Sequence, residues 1–336
     1  MMPRVGLAVH AFFPRIGGSE AHLRWMANAL RDRGFSPLVI TRRADGEPLV
    51  VDGIEISTSI SDALACDVVL TYSASTLTLE VGAVLRGAGR RRPAWVHHPC
   101  AVSRFGHELI RSADCILALN SRDVELAAEV SGRAKRVARA FPGAHEERKG
   151  QPGRFRQRVG CDYLLWVGAW SRAKGARNVS ERFARLRQAY SATPLKLIMF
   201  GAYGGDERPI PHQDIVVFDR NWDDVPDALA DCAFLTFNSP GPPVGYDANP
   251  VILLEALLNT KTFVAQSGTE FVREIANLGV VVDTDDEWVE AVRSLLVDHG
   301  RRAELEQACA AAYRTRYNMT GMMDTVEAAF RQLLDG

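Results

Sequence analysis

The 336-residue sequence predicts an α/β protein built from two doubly wound parallel sheets. Short apolar segments alternate with amphipathic segments, which is the pattern of parallel strands joined by crossover helices. The alternation occurs twice, and a stretch rich in Gly, Pro and Arg, residues 142–160, separates the two series. The length also fits two domains. We therefore expect ligands to bind beyond the carboxyl ends of the strands, in a cleft between the domains.

The first series occupies residues 1–150 and begins with an apolar strand followed by an amphipathic helix. In the predicted helix 21–33 the apolar residues recur at helical spacing, and Gly34 follows as a stop signal. A second helix is predicted at residues 122–130. The strands of this series are predicted at residues 5–10, 38–41, 67–72, 94–97 and 115–119, and residues 136–141 close the series.

The second series occupies residues 151–318 and repeats the same alternation, after which helical patterns fill the end of the chain. Its predicted helices are residues 176–190, 250–259 and 270–276. Its predicted strands are residues 163–168, 195–200, 215–218, 234–237, 262–265 and 280–282.

The composition excludes several classes of protein. The net charge of −1 argues against a nucleic-acid-binding protein that works by bulk electrostatic attraction. No apolar run is long enough to span a bilayer, and the first residues run directly into a strand without a signal-peptide core. The six cysteines are scattered and form no CxxC pair. We therefore expect a cytoplasmic protein with reduced thiols and no zinc site.

The segment between the two series is strongly basic. From residue 133 to residue 158 nine residues are basic and two, Glu146 and Glu147, are acidic. This pattern favours a solvated linker. The alternative is attraction to an anionic acceptor or a peripheral contact with a membrane surface.

The first strand-to-helix turn contains two adjacent glycines, Gly17 and Gly18. Glycines at a helix start let a ligand approach the backbone closely, and the helix N-terminus attracts phosphate. The alternative is a tight turn that requires positive φ. The turn does not match the GxGxxG fingerprint, so a nicotinamide dinucleotide fits poorly.

A second candidate site follows the first strand of the second series. Gly168 is predicted to end that strand, and Lys174 follows it at the start of the next helix. Lys174 offers a point charge for a diphosphate, and Arg172 offers a bidentate contact. The alternative is a pair of surface cations on a loop.

The third pattern is a pair of carboxylates, Asp247 and Glu255, on either side of a strong helix start. Asn249 suits the N-cap, and Pro250 suits the first helical position because it has no N–H. Glu255 stands alone in an almost wholly apolar helix, so we expect it to have a partner. Carboxylates that accept ribose or sugar hydroxyls, beside a helix start that attracts phosphate, indicate a nucleotide-sugar site.

Two histidines, His97 and His98, lie at the end of a predicted strand of the first series. The near-neutral pKa and two nitrogens of His97 suit a contact with a sugar hydroxyl or a phosphate. The alternatives are a capped strand end and a structural histidine, and no spaced acid or cysteine supports a metal site. The acidic run at residues 283–287 resembles a DxD metal motif, but we interpret it as a helix N-terminus.

Taken together, these motifs resemble the family 4 retaining glycosyltransferases of the GT-B fold, over nearly the whole chain. The first turn of that family reads P-x-x-G-G-x-E, its second domain opens with VGRLxxxKG, and an E-x7-E signature precedes an EA pair. The matching residues here are Pro14, Gly17, Gly18 and Glu20; then Val167, Gly168, Lys174 and Gly175; then Asp247, Glu255 and Ala256. The family's strand-end histidine matches His97, with His98 as the alternative.

The resemblance implies a hexosyltransferase that moves a sugar from a nucleoside-diphosphate sugar to an acceptor hydroxyl, with the anomeric configuration retained. It implies no cofactor and no metal, and it favours a UDP-sugar over a GDP-sugar. The acceptor is a small molecule, a glycan or a lipid-linked group. Residues 1–150 would form the acceptor-side Rossmann-like domain and residues 151–318 the donor domain, while a helix at 319–336 would cross back to the first domain.

The resemblance also implies roles for single residues. The implied catalytic residues are His97, Lys174 and Asp247. Fixed positive potential would stabilise the leaving diphosphate, Glu255 would hold the ribose, and Asp247 would hold the donor sugar. The residues implied to bind the nucleotide sugar are Gly17, Gly18, Arg172, Lys174, Ala248, Asn249, Pro250 and Glu255.

Three positions depart from the family pattern. Ala169 replaces an arginine, Asp247 replaces the first glutamate of the E-x7-E signature, and Thr260 replaces a glycine. Ala169 and Asp247 motivate the alternative of a nucleotide-sugar-binding protein that has lost catalysis. A nucleotide-sugar epimerase is a second alternative. A Rossmann dehydrogenase is a third, which the missing GxGxxG disfavours.

Overall fold

Two compact units make up the chain, Met1–Gly143 together with Met319–Gly336, and Ala144–Asn318. The structure is a computed structural model that describes residues 2–13, 17–42, 49–89, 92–99, 104–131, 136–191, 193–205, 207–239 and 250–335. Within these residues, no helix has the length and apolar character needed to cross a membrane.

The first unit contains a sheet of eight strands among the described residues. These are β1 Arg4–Ala8, β2 Ser36–Ile40, β3 Val50–Val51, β4 Ile54–Ser57, β5 Val68–Tyr72, β6 Ala94–His98, β7 Cys115–Ala118 and β8 Arg136–Arg139. Their order is β3-β4-β2-β1-β5-β6-β7-β8, and all neighbours are parallel except β3 and β4. The central strands read as continuous apolar runs because helices cover both faces of such a sheet.

The helices of the first unit follow its strands. They are α1 Gly18–Asp32, α2 Thr76–Gly87, α3 Arg104–Ser112 and α4 Ser121–Ser131, and the last helix of the chain, α12 Met319–Leu334, joins them. Arg33, just after α1, pairs with Asp324 of α12 at 3.0 Å, and the Phe35 ring meets Phe330 edge to face. These contacts attach α12 to the α1 region of the first unit.

The second unit contains a sheet of six parallel strands among the described residues, in the order β11-β10-β9-β12-β13-β14. The strands are β9 Asp162–Trp170, β10 Leu195–Gly204, β11 Ile215–Asp219, β12 Phe234–Phe237, β13 Phe263–Gln266 and β14 Val280–Val282. The helices are α5 Arg154–Val159, α6 Ala176–Ala189, α7 Val225–Asp231, α8 Val251–Leu258, α9 Glu270–Glu274, α10 Asp285–Val297 and α11 His299–Thr315.

The predicted fold class, two doubly wound parallel α/β sheets, is confirmed. The predicted end of β9 at Gly168 is wrong, because the strand continues through this glycine to Trp170. Trp166 and Trp170 lie on one face of β9 and stack with ring centroids 5.4 Å apart. A Cβ at Gly168 would lie 2.9 Å from the Trp166 ring, so the glycine makes room for the indoles and does not end the strand.

Two predicted helix starts are shifted by a small amount. Helix α8 begins at Val251, so Pro250 is the N-cap residue and not the first helical residue. Helix α1 begins at Gly18 with Gly17 as its N-cap. The acidic run does begin a helix, as predicted: the Thr284 side chain caps α10, and Glu287 completes a capping box.

Candidate functional site

The strand order of the second unit creates a topological switch point between β9 and β12. From β9 the chain continues outward through β10 to β11, and it then returns to the other side of β9 with β12. Helices α6 and α8 follow β9 and β12, so they diverge at the carboxyl ends of these strands. In open parallel sheets this crevice is where ligands bind.

Lys174 lies in a tight turn at this switch point. The turn Arg172–Lys174 follows β9, and Gly175 closes it with a positive φ of 61° before α6 begins. A Cβ at Gly175 would lie 1.7 Å from the amide nitrogen of Asn238, the first residue after β12. The turn that carries Lys174 therefore packs directly against the end of β12, while Arg172 is exposed on the same turn.

Asn238 is held in place by a buried arginine. The Arg182 guanidinium donates to the Asn238 side-chain oxygen at 3.0 Å and to Asp285 at 2.7 Å, and the Arg182 side chain is only 3% exposed. These bonds orient the Asn238 amide nitrogen towards Gly175. The next residue, Ser239, is fully buried, and its hydroxyl has no hydrogen-bond partner within the described part of the chain.

The loop that should carry the first carboxylate lies outside the described residues. Asp247, Ala248 and Asn249 belong to residues 240–249, as does the rest of the segment between Ser239 and Pro250. Pro14 of the first turn is also outside them. Their predicted roles therefore stay predictions.

Glu255 has the partner that its apolar helix requires. Its carboxylate is 6% exposed and accepts from Arg148, at 2.9 Å from Nε and 3.4 Å from Nη2. Arg148 lies in the short 3₁₀ turn Glu146–Arg148 near the start of the second unit. No local sequence pattern points to Arg148, because it lies 107 positions from Glu255.

In the first unit, His97 and His98 end β6 and are both fully buried. Burial lowers the pKa of His97 to about 3, with a further contribution from His98, and burial also lowers the pKa of His98. The expectation of a near-neutral pKa is therefore wrong. Desolvation disfavours the imidazolium, so both rings are neutral at pH 7.

In both neutral rings, Nδ1 has a hydrogen-bond partner. Nδ1 of His97 lies 3.1 Å from the Thr71 carbonyl oxygen, and Nδ1 of His98 lies 2.9 Å from the Leu117 carbonyl oxygen. A carbonyl oxygen only accepts, so Nδ1 of His98 carries the proton and its Nε2 keeps a lone pair. Nδ1 of His97 also lies 2.9 Å from the Thr71 hydroxyl, which can donate or accept, so both tautomers of His97 are compatible with its contacts. Neither Nε2 has a partner among the described residues. Only one nitrogen of His97 is therefore available to a ligand, not two.

A third buried histidine, His22 on α1, was missed. Its Nδ1 lies 2.9 Å from the Tyr72 hydroxyl, and the Tyr72 ring lies 4.8 Å from the His98 ring, centroid to centroid. Burial, together with His98, lowers its pKa to about 3. The sequence does contain a signal for His22. It lies one turn before Met26, on the face of α1 that the apolar residues mark as buried, where a polar residue is unusual.

Gly17 and Gly18 lie at the start of α1, as predicted. Gly17 has φ −144° and ψ 176°, so the alternative of a turn with positive φ does not hold. A Cβ at Gly17 would lie 2.5 Å from a carboxylate oxygen of Glu20, which shows that the Glu20 side chain folds back over this glycine.

Comparison with known proteins shows similarity to solved structures and no match to a family model or to a curated protein. Sucrose-phosphate synthase from Thermosynechococcus elongatus matches with a TM-score of 0.79 and 14% identity, over 99% of both chains. Anabaena HepE in complex with UDP and glucose matches with a TM-score of 0.79 and 15% identity, over 98% of this chain and 100% of that chain. A glycosyltransferase from Rickettsia africae matches with a TM-score of 0.77 and 12% identity, over 99% of both chains.

The chain has the GT-B fold. At these identities the likeness establishes the fold and leaves the chemistry to the residues. The residues of this GT-B chain form two separate groups: charged groups at the β9/β12 switch point of the second unit, and neutral buried imidazoles beside β5 and β6 of the first.

Proposed function

We propose that this chain is a retaining glycosyltransferase that moves a sugar from a nucleoside-diphosphate sugar, UDP-linked rather than GDP-linked, to an acceptor hydroxyl. The observation that carries the proposal is the contact between Gly175 and Asn238. It brings the Lys174 turn against the end of β12, the strand that leads to α8 and Glu255. A cation at a topological switch point, against the strand that leads to a helix with a buried carboxylate, suits a nucleoside diphosphate.

The proposed chemistry is stabilisation of a departing anion. When the bond from the sugar to the β-phosphate breaks, negative charge develops on the diphosphate, and preorganised positive potential lowers that barrier. Lys174 would supply a point charge, Arg172 a second cation, and the first amides of α6 an electrostatic contribution from the helix N-terminus. No metal is required in this scheme, because fixed cations and dipoles neutralise the charge.

The other residues would bind and orient the substrates. Glu255 would accept from the ribose hydroxyls, and Asp247 with the amides of Ala248 and Asn249 would hold the donor sugar. Nε2 of His97 would form a hydrogen bond with a hydroxyl of the sugar or of the acceptor. Gly17 and Gly18 would let the substrate approach the start of α1. HepE, which is described in complexes with UDP and with UDP-glucose, supports the choice of a uridine nucleotide.

A panel of nucleotide sugars tests the proposal. We expect slow hydrolysis of at least one UDP-sugar by the wild-type protein and weaker turnover of the GDP- and dTDP-sugars. Lys174→Ala and Glu255→Ala should each weaken binding of that UDP-sugar by about tenfold or more, since each removes a hydrogen bond from a charged group. Lys149→Ala, which removes an exposed lysine of the same unit, is the matched control.

The outcomes separate the candidates. Binding without turnover would favour a nucleotide-sugar-binding protein that has lost catalysis. Ala169 motivates this alternative, because the family pattern has an arginine at this position, which lies in β9. If no variant differs from the Lys149→Ala control in nucleotide-sugar affinity, the assigned site is wrong. The anomeric configuration of the product, measured by NMR, tests retention separately.

A further inference from the structure

Glu255 and Arg148 form an ion pair that is largely shielded from water. The two side chains are 6% and 20% exposed, and two guanidinium nitrogens, Nε and Nη2, face the two carboxylate oxygens at 2.9 and 3.4 Å. The third nitrogen, Nη1, lies 3.5 Å from the Trp222 carbonyl oxygen. A fork of this kind fixes both the position and the plane of a carboxylate.

The segment that carries Arg148 is itself fixed on α8. Asn259, at the end of α8, donates to the carbonyl oxygens of Arg148 and Glu255 at 3.0 and 2.9 Å, and it accepts from the Gly150 amide at 2.8 Å. A Cβ at Gly150 would lie 1.9 Å from the Pro226 carbonyl oxygen, so the segment also abuts α7. The backbone on both sides of Arg148 is therefore anchored.

The ion pair leaves acceptor capacity on Glu255. A carboxylate offers about four lone-pair positions, and the Arg148 fork uses two of them. Trp222, whose backbone carbonyl faces the third Arg148 nitrogen, has a buried indole nitrogen that lacks a hydrogen-bond partner among the residues that the structure describes. Buried donors are almost always satisfied, so this unpaired N–H, on a residue that Arg148 contacts, points to a polar ligand.

We propose that Arg148 is a positioning residue for nucleoside recognition: it holds the Glu255 carboxylate so that its remaining lone pairs accept from the vicinal hydroxyls of a ribose. This inference rests on the proposed function, because it concerns the nucleoside end of the same substrate. Arg148 acts through Glu255 and is not itself a ribose ligand. Its loss should therefore affect the discrimination between ribose and deoxyribose more than the sugar-transfer step.

The test compares the affinities of UDP and 2′-deoxy-UDP by calorimetry. We expect the wild-type protein to bind UDP about tenfold more tightly than 2′-deoxy-UDP, because the deoxy compound lacks one hydrogen bond to a charged group. Arg148→Gln should lower that ratio to about two, and Arg148→Lys should give an intermediate ratio because lysine keeps the charge but not the fork. Arg154→Gln, which breaks the pair between the exposed Arg154 and Asp227 at 3.2 Å, should leave the ratio unchanged.

A double-mutant cycle tests whether Arg148 acts through Glu255. Arg148→Gln combined with Glu255→Gln should lower the ratio no further than Glu255→Gln alone. A ratio that stays near the wild-type value in both Arg148 variants would overturn the inference while leaving the proposed function intact. Equal wild-type binding of UDP and 2′-deoxy-UDP would also overturn it. If the wild-type protein binds no nucleoside diphosphate, the proposed function fails and the inference fails with it.

Discussion

The carboxyl ends of the two sheets carry different kinds of polar group. In the first unit the groups are His22, His97 and His98, which are buried, neutral and each left with an unpartnered Nε2 among the described residues. In the second unit they are charged: the Lys174 turn and the Arg148–Glu255 pair. Neutral imidazoles suit hydroxyl groups, and charges suit phosphate and ribose. On the proposed function, the two units would therefore recognise different chemical parts of the substrates.

The largest expected effect comes from a substitution in the turn that carries Lys174. Gly175→Ala should lower the free energy of unfolding by about 3 kcal/mol, because a positive φ costs about 1 kcal/mol and the new methyl overpacks against Asn238. Gly153→Ala is the matched control, since Gly153 also has a positive φ of 89° but its added Cβ meets nothing within 4 Å. Urea unfolding measures both. Equal destabilisation by the two variants would contradict the close contact with Asn238.

The neutral histidines should make the first unit sensitive to acid. His22 and His97 have a pKa of about 3 when folded and about 6.5 when unfolded, so the unfolded chain binds more protons between these values. Stability is therefore full above pH 6.5 and falls as the pH is lowered, by about 1 kcal/mol per pH unit for each histidine.

Unfolding measured between pH 7 and pH 5 tests this prediction. His22→Gln and His97→Gln should each reduce the slope of stability against pH. If both variants keep the wild-type slope, these histidines bind protons as readily in the folded protein as in the unfolded chain, and the contrast between the two units disappears.

A smaller effect should follow from adding charge to the second unit. Ala169→Arg restores the cation that the family pattern has at this position, and we expect it to tighten UDP binding by about fivefold. Ala189→Arg adds the same charge at an exposed position near the end of α6 and should change the affinity little. Isothermal titration with UDP measures both, and weaker binding by Ala169→Arg would place the diphosphate elsewhere.

The fold could be predicted because strands that are covered on both faces appear in the sequence as apolar runs. In the intervening helices, apolar residues recur at helical spacing instead. Helix α2 was missed, since Thr76-Leu77-Thr78-Leu79 alternates in the manner of a strand. Its start signal, the capping box between Ser75 and Thr78, was present but lacks the usual acidic residue.

The candidate site was only partly predictable. The Lys174 turn is a local pattern, a lysine followed by a glycine after a strand, and local patterns can be read from a sequence. The partner of Glu255 could not be read, because an ion pair between residues 107 positions apart exists only once the chain has folded. The pKa of His97 depends on burial, which also arises only from tertiary packing.

The central claim is that Lys174 meets the diphosphate of a nucleotide sugar. The most direct test compares the affinities of UDP and uridine for the wild-type protein and for Lys174→Ala. We expect the variant to lose about tenfold in UDP affinity while its uridine affinity stays the same, because only UDP carries phosphate. Equal losses for both ligands, or no loss for either, would contradict the account.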